Sequence, residues 1–136
     1  MATSAYANTN QVLYSKVDKA SAIAFVLLRT AKPGQPGRPY IRDVSGILYA
    51  LKKEGFRLKN LGLRAIPGGY YSEDVEMFLG HLLSMGYATQ RSPIKLTAEG
   101  ELFCREILDE EADANRTELA DLERAVDQVL ARAAPP

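Results

Sequence analysis

A chain of 136 residues, 46% of them apolar and 25% charged, has the composition of one soluble globular domain rather than two. Its seventeen Lys+Arg balance seventeen Asp+Glu, which excludes a uniformly basic nucleic-acid binder. The balance hides an asymmetry: residues 1–70 carry 11 basic and 3 acidic side chains, and residues 71–136 carry 6 and 14. A charged partner therefore meets a dipolar molecule.

One cysteine, Cys104, excludes an intramolecular disulfide, and with one histidine, His81, it leaves too few soft ligands for a conventional zinc site. The start of the chain lacks the basic and apolar regions of a signal peptide, and the apolar run from Ile23 to Leu28 is far too short to span a bilayer. The expectation is a cytoplasmic protein with no membrane anchor, no metal and no cofactor.

Residues 1–10 are small and polar and are expected to form a flexible tail. From Asp18 to Ala31, apolar Ala20, Ile23, Ala24, Leu27 and Leu28 recur at steps of three and four, which predicts a helix capped by Asp18 with Lys19 facing water. Three prolines and two glycines between Lys32 and Pro39 enforce a loop. A second helix is predicted from Tyr40 or Ile41 to Glu54, with Gly55 just past its end. Between Phe56 and Ile66 the apolar period is nearer two, so a short strand or extended arm is expected, followed by a turn at Pro67-Gly68-Gly69.

Ser72 is a good N-cap for a third helix whose first turn holds Glu73, Asp74 and Glu76, and Gly86 ends it. Residues 87–90 and 94–96, either side of Arg91-Ser92-Pro93, predict a β-hairpin. Thr97 then caps a long final helix reaching about Ala133. The fold class is mainly α with a small β-hairpin: a winged helix-turn-helix with a long C-terminal helix. The expected divisions are the tail 1–10, a winged-helix domain 11–108, and an extended helix 109–136 serving dimerisation.

Three stretches make a resemblance specific: Gly69-Tyr70-Tyr71-Ser72-Glu73-Asp74-Val75, Leu82-Leu83-Ser84-Met85-Gly86-Tyr87, and Ile94-Lys95-Leu96-Thr97-Ala98-Glu99-Gly100. They resemble the Gly-Pro-Tyr-Ser, Leu-x-x-x-Gly and Leu-Thr-x-x-Gly signposts of small prokaryotic YwgA-like winged-helix proteins, whose layout the Panacea-type antitoxin domains share. The similarity spans roughly Asp18 to Ile107, with Tyr70 in place of the usual proline. It implies a winged-helix fold and a regulatory or antitoxin-like role.

Arg29, Lys32, Arg38, Arg42, Lys52, Lys53, Arg57, Lys59 and Arg64, with Arg91 and Lys95 in the hairpin, are candidate phosphate contacts, since such contacts need only positive charge at backbone spacing. Against this, Glu73, Asp74 and Glu76 begin the helix at the recognition position, where carboxylates repel phosphate. Those three acids with Tyr70 and Tyr71 are therefore candidate contacts for a partner protein. Leu119, Leu122, Val126 and Val129 keep heptad spacing and form a candidate homodimer seam. No catalytic motif is present, and Cys104 beside Phe103 reads as a buried structural thiol. The leading expectation is a non-catalytic, transcription-regulator-like dimer on double-stranded DNA. The other is a protein-interaction module, an antitoxin-type neutraliser or a subunit of a larger assembly.

Overall fold

The computed structural model describes residues 14–33 and 39–133; the expected tail 1–10 and the candidate cation Arg38 lie outside the described residues. The elements are α1 (Lys19–Thr30), α2 (Ile41–Lys53), β1 (Arg64–Ile66), β2 (Gly69–Tyr71), α3 (Glu73–Ser84), β3 (Ala88–Arg91), β4 (Ile94–Leu96) and α4 (Ala98–Ala133). The protein is thus mostly helical, with a long C-terminal helix and two small antiparallel hairpins. Among the described residues no helix is long and apolar enough to cross a membrane.

Helix α1 begins where Asp18 accepts the Ala20 N–H at 2.9 Å. The sequence pattern marks one apolar side, yet all eight residues from Ser21 to Leu28 are buried. Ala22, Phe25 and Val26 complete an apolar circumference, so α1 is a central helix that needs cover all round. α2, α3 and α4 all pack against it.

That demand decides the fate of the heptad seam. Leu119, Leu122, Val126 and Val129, expected to meet a second protomer, are buried inside one chain, where α4 packs on α1 and α2. The seam is the cover that α1 requires, and the segment expected as a dimerisation appendage belongs to the same core. The helix kinks at Asn115, whose φ of −141° and ψ of 54° leave the helical region and divide α4 into two helical segments.

A second departure lies before α3. The extended arm becomes strand only at Arg64–Ile66, which turns through Pro67-Gly68 and pairs with Gly69–Tyr71. Gly68 takes a φ of +86°, a conformation open to glycine. The Tyr70 ring stacks on Tyr49 of α2, with centroids 3.8 Å apart and planes 13° from parallel. Ser72 at the end of this hairpin donates its N–H to the buried Ser45 hydroxyl at 3.0 Å, fixing the start of α3 against α2.

The second hairpin pairs Ala88 with Leu96, Gln90 with Lys95 and Arg91 with Ile94, across a cis Ser92–Pro93 bond. Its outer edge is also occupied: the Ile94 N–H donates to the Pro39 carbonyl at 2.7 Å and the Leu96 N–H to the Ala31 carbonyl at 2.9 Å. Helix α4 starts against this hairpin. The Thr97 N–H donates to the Tyr87 carbonyl (3.0 Å), its hydroxyl donates to the Gly86 carbonyl (3.2 Å), and the same hydroxyl accepts the Gly100 N–H (3.0 Å). A Cβ on Gly100 would lie 1.9 Å from the Tyr87 carbonyl oxygen, so the glycine of the Thr-x-x-Gly motif is a close-approach site.

Candidate nucleic-acid interface

The ion pairs sort the candidate cations into two groups. Arg29 is engaged: its guanidinium grips Asp127 of α4 at 2.9 and 3.3 Å and lies over the Phe25 ring, 4.4 Å from its centroid. This half-exposed pair fastens α1 to α4. Arg91 of the second hairpin is paired with Glu76 of α3, so half of the charge expected in that hairpin is neutralised within the fold. Lys32 and Lys95 are exposed and belong to no ion pair among the described residues.

Arg42, Lys52, Lys53, Arg57, Lys59 and Arg64 are six more of the unpaired group. All six are exposed, and none has a salt-bridge partner among the described residues. Three lie over tyrosine rings: Arg42 over Tyr40 at 5.6 Å, Lys53 over Tyr49 at 6.0 Å and Arg64 over Tyr71 at 4.8 Å. From Ser45 to Ser72 the only carboxylate in the sequence is Glu54, and Arg132 of α4 pairs with it. The end of α2, the segment after it and β1 therefore carry cations without an ion-pair partner among the described residues, with Glu118 and Asp121 of α4 adjoining Arg57.

The acidic start of α3 is largely consumed by the fold. Asp74 accepts from the Lys19 ammonium at 2.7 Å and from the Gly62 N–H at 2.7 Å, and Lys19 also donates to the Asn60 carbonyl at 3.0 Å. Lys19 does not face water as its sequence position suggests. With Asp74 it ties α1 and the segment at 60–62 to α3. Glu76 holds Arg91, which leaves Glu73 as the carboxylate of the three that faces solvent unpaired among the described residues. Tyr70 is engaged with Tyr49, whose hydroxyl raises the Tyr70 pKa, and Tyr71 is half-buried under Arg64. The remaining solvent face of α3 shows Met77, His81 and Ser84, with no lysine or arginine.

Sequence reading missed the arm before α1. The Ser15 N–H donates to the Arg57 carbonyl at 2.8 Å, and the Lys16 N–H to the Glu118 carboxylate at 2.7 Å. These bonds set Tyr14, 53% exposed, beside Phe56 and the cations Lys52 and Arg57. The arm has no apolar period to flag it, because its partners are backbone groups and α4 carboxylates some 40 and 100 residues away.

Cys104 is fully buried, and burial, with Glu101 adding a smaller push, raises its thiol pKa to about 12. His81 sits exposed on α3. Among the described residues no group of three His, Cys, Asp or Glu side chains is placed to hold a metal ion. No protein-family model, curated protein or solved structure matches the chain.

Proposed function

We propose that the protein is a non-catalytic module of winged-helix type that associates with double-stranded DNA through the phosphate backbone. One observation carries the reading: Lys52, Lys53, Arg57, Lys59 and Arg64 are exposed and unpaired among the described residues, along a stretch whose single carboxylate is held by Arg132. Such charge attracts a polyanion without reading sequence. The absence of lysine and arginine from the described solvent face of α3 argues against base readout there. The order of helices with a hairpin between α3 and α4, and the resemblance to YwgA-like proteins, support the winged-helix assignment.

Titration of an arbitrary labelled duplex at several salt concentrations tests it. Binding should weaken linearly on a log–log plot, with a slope of roughly −0.9 per neutralised phosphate. Absence of any shift at low salt with protein at about 10⁻⁴ M, the weak end of non-specific binding, overturns the proposal.

A second reading, a protein-binding module of antitoxin type, draws on the α3 face, where Met77 is 74% exposed between Glu73 and His81. Glu73 beside it, unpaired among the described residues, belongs to the set expected to meet a partner protein. Met77→Arg should then abolish capture of that partner and leave duplex binding intact.

A further inference from the structure

We infer that the cleft between Tyr14 and Phe56 takes an unstacked base of a single-stranded polynucleotide whose phosphates lie along Lys52, Arg57 and Lys59. This inference rests on the polyanion reading above and narrows it. The cleft has a volume of about 230 Å³ and is lined by Tyr14, Lys52, Phe56, Arg57, Asn60 and Leu61. That is below the roughly 300–1,000 Å³ of sites for drug-sized ligands, so it fits a ring rather than a whole nucleotide.

Tyr14 also walls a neighbouring cleft of about 590 Å³ where Lys16 and Lys59 are the cations unpaired among the described residues, beside Asp18 and the Lys19 that Asp74 holds. A strand crossing Tyr14 therefore finds cations on both sides of one exposed ring. On a third side, Tyr14, Phe56 and Arg57 adjoin Glu118 and Asp121. Those carboxylates repel phosphate and leave the cationic sides as the strand's path.

The backbone next to the ring is held in place. The Ser15 N–H is bonded to the Arg57 carbonyl and the Lys16 N–H to Glu118, so the backbone that carries Tyr14 is pinned on two sides before any ligand arrives. Phe56 packs on the core from below, half-buried. Aromatic faces beside a cationic track are the chemistry of sequence-tolerant single-strand binding, because every base offers a π-face. A duplex keeps its bases stacked inside and cannot fill such a cleft.

Fluorescence anisotropy with labelled oligo-dT, oligo-rU and a mixed-sequence duplex, each about 20 nucleotides long and at one salt concentration, tests this against single-strand site sizes of about 4–16 nucleotides. The full chain should bind at least one single strand more tightly than the duplex, and the tighter of the two names the source, DNA or RNA. Tyr14→Ala should weaken that binding by about 5- to 150-fold, the range of one stacked base, with duplex affinity unchanged. Tyr14→Phe should retain wild-type affinity, and Phe56→Leu, which keeps the apolar packing, should weaken only the single strand. Equal affinity for single strand and duplex, or a Tyr14→Ala variant that binds single strand normally, overturns the inference while duplex binding survives. Binding of no nucleic acid at all overturns the proposed function with it.

Discussion

Glu111 of α4 accepts the hydroxyl of Ser21 in α1 at 2.8 Å, across 90 positions of sequence and inside the core. The same carboxylate oxygen takes the Asp18 N–H at 2.8 Å, and its other oxygen takes the Asn115 amide at 2.6 Å. Asn115, at the kink, also donates to the Lys16 carbonyl at 3.3 Å. One buried carboxylate thus joins the start of α1, the arm before it and the bend of α4.

This arrangement gives stability a pH dependence. Burial raises the Glu111 pKa, but the hydrogen bonds from Asn115, Asp18 and Ser21 outweigh it and hold the group below its ordinary 4.5. A carboxylate depressed in the folded state contributes stability that is fully present above its unfolded pKa and is lost as pH falls through the folded value. Urea midpoints should therefore fall on acidification below about pH 4.5, the group's ordinary value. Glu111→Gln should flatten that fall. Glu111→Ala, which strands three donors, should cost about 1–3 kcal/mol at pH 7. Parallel pH profiles for wild type and Glu111→Gln would refute the linkage.

Gly100→Ala should be severe for so small a change. Its methyl group would sit 1.9 Å from the Tyr87 carbonyl oxygen, a backbone atom that also accepts the Thr97 N–H. A loss of about 3 kcal/mol, at the upper part of the overpacking range, is expected from chemical denaturation. A shift smaller than that of an ordinary surface substitution, about 0.5 kcal/mol, would show that α4 can slide off the hairpin.

Leu122→Asp should unfold the protein rather than dissociate it. Leu122 is fully buried against the same chain, and a carboxylate there is desolvated without a partner. The expected destabilisation exceeds about 4 kcal/mol, visible as loss of a cooperative thermal transition. A folded, smaller species in light scattering would restore the seam to a dimer interface.

Cys104 should resist alkylation in the native protein. With its pKa near 12, the thiolate fraction at pH 8 is about 10⁻⁴, and the thiol is buried besides. Labelling by iodoacetamide should follow global unfolding in urea. Rapid labelling in buffer would place the thiol at the surface.

The two groups of cations should separate in binding assays. Lys52→Glu with Arg57→Glu should weaken duplex binding and reduce the log–log salt slope by roughly 0.9 for each phosphate that the variant no longer neutralises. Arg29→Gln should leave binding unchanged and lower stability by no more than about 1 kcal/mol, since its pair with Asp127 is half exposed. Equal effects of the two changes on affinity would remove the distinction between paired and unpaired charge.

Local chemistry made much of this protein legible in its sequence. The Asp18, Ser72 and Thr97 caps, the glycines at 55 and 86, the hairpin around Ser92-Pro93 and the long last helix all follow from interactions spanning a few residues. The buried thiol of Cys104 follows from its apolar neighbours on one helix turn. What a side chain pairs with is different, because charge and heptad spacing look the same whether the partner is distant in the chain or in another molecule. Only the packed chain showed that Leu122 covers α1, that Asp74 is held by Lys19, and that Arg29 is spent on Asp127 while Lys52 and Arg57 are not. The arm carrying Tyr14 was invisible for the same reason: the bonds that place it come from Arg57 and Glu118, which three-dimensional folding alone brings beside it.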